Sequence, residues 1–83
     1  MPEISRLSGV IITMYYNDHP PPHFHVRDSG QKAIITIDCP RIWKGELSRY
    51  TEMLVIDWAK LHQDELRKNW ELARINQHLN KIG

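Results

Sequence analysis

Three of the five histidines in this chain, with one aspartate, fall in the segment Asp18-His19-Pro20-Pro21-Pro22-His23-Phe24-His25. Imidazoles and a carboxylate at this density suit two kinds of chemistry. The first is metal binding. Residues two apart on a strand project from the same face, so His23 and His25 would bring two ring nitrogens together. His19, from across the prolines, is the third candidate ligand. Asp18 is then a fourth ligand, or the acceptor that orients a ligating ring. The prolines narrow the unfolded ensemble and reduce the entropy lost when the ligands assemble. A divalent ion such as zinc suits an imidazole-rich set.

The second chemistry is proton transfer. An imidazole with an unperturbed pKa of ~6.5 accepts and donates protons near neutral pH. Two such groups beside a cation form a minimal set for cleaving RNA. One removes the 2′-hydroxyl proton, one protonates the leaving oxygen, and the cation stabilises charge on phosphate. His23 and His25 are the candidate acid–base residues, with Asp18 orienting one of them. Arg27 alternates onto their face, and Lys32 lies across the expected hairpin, so both are candidate phosphate contacts. Tyr15, with Thr13, joins that face if the preceding strand alternates in the same sense, and its ring offers a platform for a base. A third reading is plainer. Asn17, Asp18 and the prolines form only a strand connection, and His23 and His25 are solvated on an exposed sheet face. The residues alone leave all three open.

Other reactive side chains carry less. His62 falls on an apolar helical stripe and is expected as a hydrogen-bonded core histidine. Trp43, Trp58 and Trp70 are expected as core or interface anchors. Cys39, beside Pro40, is expected as an inert buried thiol. The chain has no Gly-rich phosphate loop, no Cys-x-x-Cys and no Gly-x-Ser-x-Gly.

The elements that must position these residues follow from periodicity. Residues 10–16, rich in β-branched and aromatic types, read as a strand. Residues 3–7 read as a short strand or lead-in, with Ser8-Gly9 as the break. Residues 17–22, with three prolines, are irregular. In residues 23–28, Phe24 and Val26 point one way and His23, His25 and Arg27 the other. Asp28-Ser29-Gly30 is a turn, and residues 31–38 return with Ala33, Ile35 and Ile37 on one face. Pro40 is expected to end the sheet.

From Ser48 to about Asn80 there is neither proline nor glycine. Ser48 or Thr51 is the expected N-cap, with Glu52 in the first turn. Val55, Ala59, His62, Leu66, Trp70 and Ala73 lie on one helical face, widened by Leu54, Trp58 and Leu61. One helix of ~30 residues would span ~45 Å, against an expected radius of gyration of ~12 Å. A break near His62–Asp64 or a projecting tail is therefore expected, with fraying from about Gln77. The expected fold is a single α+β domain over residues 1–83, with a β-rich half (1–40) and a helical half (48–80). A three- to four-stranded antiparallel sheet is followed by one broken helix or two helices. These pack Val55, Trp58, Leu61, Leu66 and Trp70 on the sheet face carrying Phe24, Val26, Ile35 and Ile37.

Charge narrows the function classes. The net charge is +1, and neither half is strongly basic, which argues against broad electrostatic wrapping of duplex nucleic acid. One cysteine permits no internal disulfide and fits a reducing compartment. Neither a secretory leader nor a membrane-length apolar run is visible, so a cytoplasmic location is expected. A chain of this length buries only ~60% of its unfolded surface, a deficit that a partner protein or a second copy of the chain would offset.

Three stretches carry a family resemblance. They are Met1-Pro2-Glu3-Ile4-Ser5-Arg6 followed by Gly9; Met14-Tyr15-Tyr16-Asn17-Asp18-His19 followed by Pro21-Pro22-His23-Phe24-His25-Val26; and Asn69-Trp70-Glu71-Leu72-Ala73 after Trp58 and His62. Together they resemble, over nearly the whole chain, the bacterial family called domain of unknown function forty-one-sixty. Pro20 departs from the polar residue often found there and should stiffen the loop. The family signature maps onto Tyr15, Asp18, His19, His23 and His25. The family has no settled activity. Its members are usually encoded beside another small domain, and such pairs resemble type II toxin–antitoxin modules. The resemblance therefore implies a toxin-like component held by a cognate small protein. The histidine segment would act on RNA or translation, with ribonuclease-like activity as the enzymatic form. The alternatives are a non-catalytic metal module using His19, His23 and His25, or an antitoxin-like regulatory partner.

Overall fold

Two hairpin turns organise the sheet. Ser8-Gly9 and Ser29-Gly30 each place consecutive residues at positive φ, at 49° and 86° in the first and 47° and 83° in the second. Two-residue turns with both central residues left-handed match the twist of the strands they join. In the computed structural model, which describes residues 2–83, they connect β1 (Glu3–Leu7) to β2 (Val10–Thr13) and β3 (His23–Asp28) to β4 (Gln31–Thr36). A fifth strand, β5 (Ile42–Gly45), completes an antiparallel sheet of order β1-β2-β3-β4-β5.

The sheet thus has five strands, not the three or four expected. Residues 3–7 form a full strand paired with β2. Pro40 bends the chain without ending the sheet, because the Thr36 hydroxyl donates to the Cys39 carbonyl at 2.6 Å and turns the backbone back along β4. Gly45 closes the arrangement. It sits at φ 84°, and a Cβ there would lie 2.2 Å from the Lys32 carbonyl oxygen. Only glycine meets both conditions.

Two helices follow, α1 (Arg49–Leu61) and α2 (Gln63–Arg74). Ser48 caps α1 by accepting from the Thr51 amide at 3.2 Å. The Thr51 hydroxyl donates to Asp28 at 2.6 Å, tying the helix start to the β3–β4 hairpin. The break falls at His62, inside the expected interval. The His62 amide still donates to Trp58, and its carbonyl accepts from Leu66. Its ring faces Glu65 at 2.6 Å and lies beside Trp58, so it is partly exposed rather than a core histidine. No described helix is long and apolar enough to cross a membrane.

The core forms between the helices and one sheet face. Val55, Trp58, Ala59, Leu66, Trp70 and Ala73 are buried with Ile12, Phe24, Val26, Ala33, Ile35 and Ile37. Leu61, expected in this set, is 82% exposed, because α1 ends there and the chain turns away. Cys39 is exposed, not buried. The expected fraying beyond Gln77 is also absent. Leu79 and Ile82 are buried, and Asn69, with no exposed surface, clasps the backbone of Asn80 through both amide atoms, each at 2.9 Å. The Ile82 amide donates to Ile4 at 2.8 Å, so the tail lies along β1.

Candidate metal centre and adjoining groove

Residues 14–22, between β2 and β3, carry Asp18 and the prolines. Proline has no amide hydrogen, so this loop is held largely by bonds at its margins. The Met14 amide donates to Pro2, the Asn17 amide to Ala73 at the end of α2, and the Ile37 amide to Pro22. Asn17 adopts φ 54° to make its bond. Pinned in this way, the loop folds Asp18 over the start of β3.

Asp18, His23 and His25 converge. One ligand atom from each lies within 4.8 Å of the others. Asp18 Oδ2 is 2.9 Å from His23 Nε2 and 3.6 Å from His25 Nε2. An ion held at ~2.0–2.1 Å by each ligand separates neighbouring ligand atoms by about 2.9 Å at right angles and about 3.4 Å at tetrahedral angles. The spacing is close to that of a coordination shell.

Hydrogen-bond accounting points the same way. His23 Nδ1 is 2.6 Å from the Pro21 carbonyl oxygen, which only accepts, so this nitrogen carries the proton and donates. A neutral imidazole has a single N–H. Nε2 then turns a bare lone pair toward a carboxylate, which is repulsive unless a second proton or a cation lies between. A ligating histidine whose other nitrogen donates to a backbone carbonyl is a common way to fix ring and tautomer. His25 adds a second irregularity. At 3.6 Å its contact with Asp18 is too long for a hydrogen bond, and its Nε2 is buried without a hydrogen-bond partner among the described residues.

Electrostatics favours the ligating forms of both end members. Burial holds His25 below the ordinary imidazole range; Asp18 pulls it up and His23 pushes it further down. Burial alone would raise the Asp18 carboxyl, but the donating His19 amide and the adjacent His23 ring bring it below the ordinary carboxylate range.

The expected site residues divide. His23 is only 2% exposed. Strand alternation pointed it outward with His25, but Trp43 at 5.4 Å and Trp70 at 5.1 Å, between ring centroids, enclose it. His19 lies outside the converging group, with a side chain 71% exposed and Nε2 3.8 Å from Asp18 Oδ1. Trp43 is 37% exposed, so it is a partly solvated wall rather than a core anchor.

On the sheet face away from the helices lies a groove of about 430 Å³. Tyr15, His25, Arg27 and Lys32 all line it, together with Thr13. Ile11 and Ile34 add apolar surface. Lys44, from the unforeseen β5, adds a third cation. His25 belongs to both groove and metal-ligating group, and its ring meets that of Tyr15 edge-on at 4.4 Å. Arg27 and Lys32 are direct cross-strand partners, and like charges so placed are destabilising. Among the described residues, Arg27, Lys32 and Lys44 form no ion pair, whereas Arg6, Arg67 and Arg74 each meet a carboxylate.

The sequence matches, over residues 9–71, the model of a family described as Domain of unknown function (DUF4160). Neither the curated proteins nor the solved structures include a match. The family match spans more than half of the chain, and the chain belongs to that family.

Proposed function

Taking membership of that family as the premise, we propose that this chain is a metal-dependent effector that cleaves phosphodiesters in RNA. Asp18, His23 and His25 hold one divalent ion of the zinc class at the end of the groove. The observation that carries this reading is His23, pinned through Nδ1 to Pro21, with Nε2 facing the carboxylate that His25 also approaches. Three protein ligands leave a fourth position open, as in catalytic rather than structural zinc sites.

When bound, such an ion supplies Lewis-acid polarisation and acidified water. The chain's own residues do the rest. Asp18 and His23 fix the ligand geometry, and Trp43 and Trp70 shield His23 from solvent. Arg27 and Lys32 offset charge on the phosphate at the groove wall. His23, at 2% exposure, serves as a ligand rather than as the proton carrier of a two-histidine scheme. In the hydrolysis, the oxygen of water bonds to phosphorus, the P–O ester bond breaks, and the leaving oxygen takes up the proton.

The biological role proposed with it is supported by the family resemblance of the sequence. The chain acts as the toxin-like half of a two-gene pair, held in check by a cognate small protein. The test combines growth and cleavage. Untagged protein expressed alone should slow growth, and the purified protein should cleave RNA until chelated and recover with added zinc. Asp18→Asn and His25→Gln should lose both effects. Cleavage indifferent to chelation contradicts the metal reading. Metal binding without either cleavage or growth inhibition leaves a non-catalytic metal module and refutes the effector role.

A further inference from the structure

The uncovered sheet face has its own chemistry. Its cations come from three adjacent strands, Arg27 on β3, Lys32 on β4 and Lys44 on β5. Glu3 is the one acid in the lining, and it is engaged by Arg6 at 2.9 Å. Ile11 and Ile34 supply apolar surface, and Tyr15 adds an aromatic ring. An occupant must therefore be anionic in one part and flat or apolar in another. The volume is at the lower end of small-ligand pockets, ~300–1,000 Å³.

We infer that this groove binds single-stranded nucleic acid, with backbone phosphate among Arg27, Lys32 and Lys44 and a base against Tyr15 and the isoleucines. Cations that follow the backbone, with an aromatic platform beside them, are how single strands are held without base-specific readout. Duplex is disfavoured. Its bases are already stacked, and a chain of net charge +1 lacks the ~6–10 phosphate contacts of strong duplex binders. Lys44 is the added determinant. Gly45 places it, because that residue alone permits β5 to approach the Lys32 carbonyl. This inference rests on the proposed function and deepens it by making the substrate single-stranded; the metal-ligating Asp18 and His23 lie outside the groove lining, and His25 is shared.

Fluorescence anisotropy with a short labelled oligouridylate tests it, using untagged protein with a chelator present so that the strand stays intact. Three phosphate contacts at ~0.7 each predict a slope of log K against log salt near −2. Lys44→Gln should reduce its magnitude by ~0.7 with the fold unchanged. A duplex of equal length should bind about tenfold more weakly, since paired bases cannot stack on Tyr15. Uridine monophosphate should compete with the oligonucleotide and inorganic phosphate should not. Equal affinity for duplex, competition by inorganic phosphate alone, or a slope indifferent to Lys44→Gln overturns the inference. Asp18→Asn separates the two proposals. If it loses metal yet binds the oligonucleotide as before, both stand. If wild type binds no metal but does bind the strand, only the metal reading fails. If metal binds and the strand does not, only the groove inference fails.

Discussion

The two faces of the sheet follow different rules. The helix-covered face is apolar and closed. Phe24, Ile12 and Ile35 are fully buried against the helices, and the one buried amide there, Asn69, is satisfied through both atoms. The open face carries the exceptions. Arg27 and Lys32 stand opposite each other with like charge, three cations lack ion pairs among the described residues, and His25 Nε2 is buried without a partner. Local rules broken together in one place are expected where function, rather than folding, sets the residues. The covered face holds the fold, and the open face carries side chains that folding alone does not favour.

This contrast can be broken by mutation. The largest effect belongs to the covered face. Phe24→Ala should cost about 3–5 kcal/mol in urea unfolding, because a fully buried ring beside Trp58 leaves a cavity. Asn69→Ala comes next. It removes both hydrogen bonds to the Asn80 backbone, together worth about 1–3 kcal/mol, and should expose the tail to proteolysis. Gly45→Ala should cost about 1–3 kcal/mol through its left-handed backbone and should also displace β5, weakening the groove through Lys44. The smallest effect carries the opposite sign. Lys32→Thr removes the like-charge pairing with Arg27 and should stabilise the fold by about 0.2–1 kcal/mol while weakening oligonucleotide binding. A Lys32→Thr protein that is both less stable and unchanged in binding would erase the distinction between the faces.

Much of this division was legible in residues 23–28, where alternation alone separates Phe24 and Val26 from His25 and Arg27. The helix break was legible too, since one helix through residues 48–80 is too long for the domain. What escaped depends on tertiary contacts. β5 is four residues long, follows Pro40, and exists because Thr36 turns the chain and Gly45 tolerates close approach. Lys44 was hidden with it. His23 alternates outward, yet Trp43 and Trp70 cover it from elements distant in sequence. Asp18 and His23 were visible as a pair of residue types, but the Pro21 carbonyl that sets the histidine's tautomer was not. The ordered tail rests on a buried Asn69 that periodicity treats as one more helical position.

In the proposed site Asp18, His23 and His25 hold one ion and His19 does not. Elemental analysis of untagged protein, with zinc titration followed by the fluorescence of Trp43 and Trp70, tests it directly. One equivalent of metal per chain is expected, retained by His19→Ala and lost by Asp18→Asn, His23→Gln and His25→Gln while each remains folded. Metal-free wild type that takes up no zinc, or metal retained by the His23 and His25 variants, would contradict it.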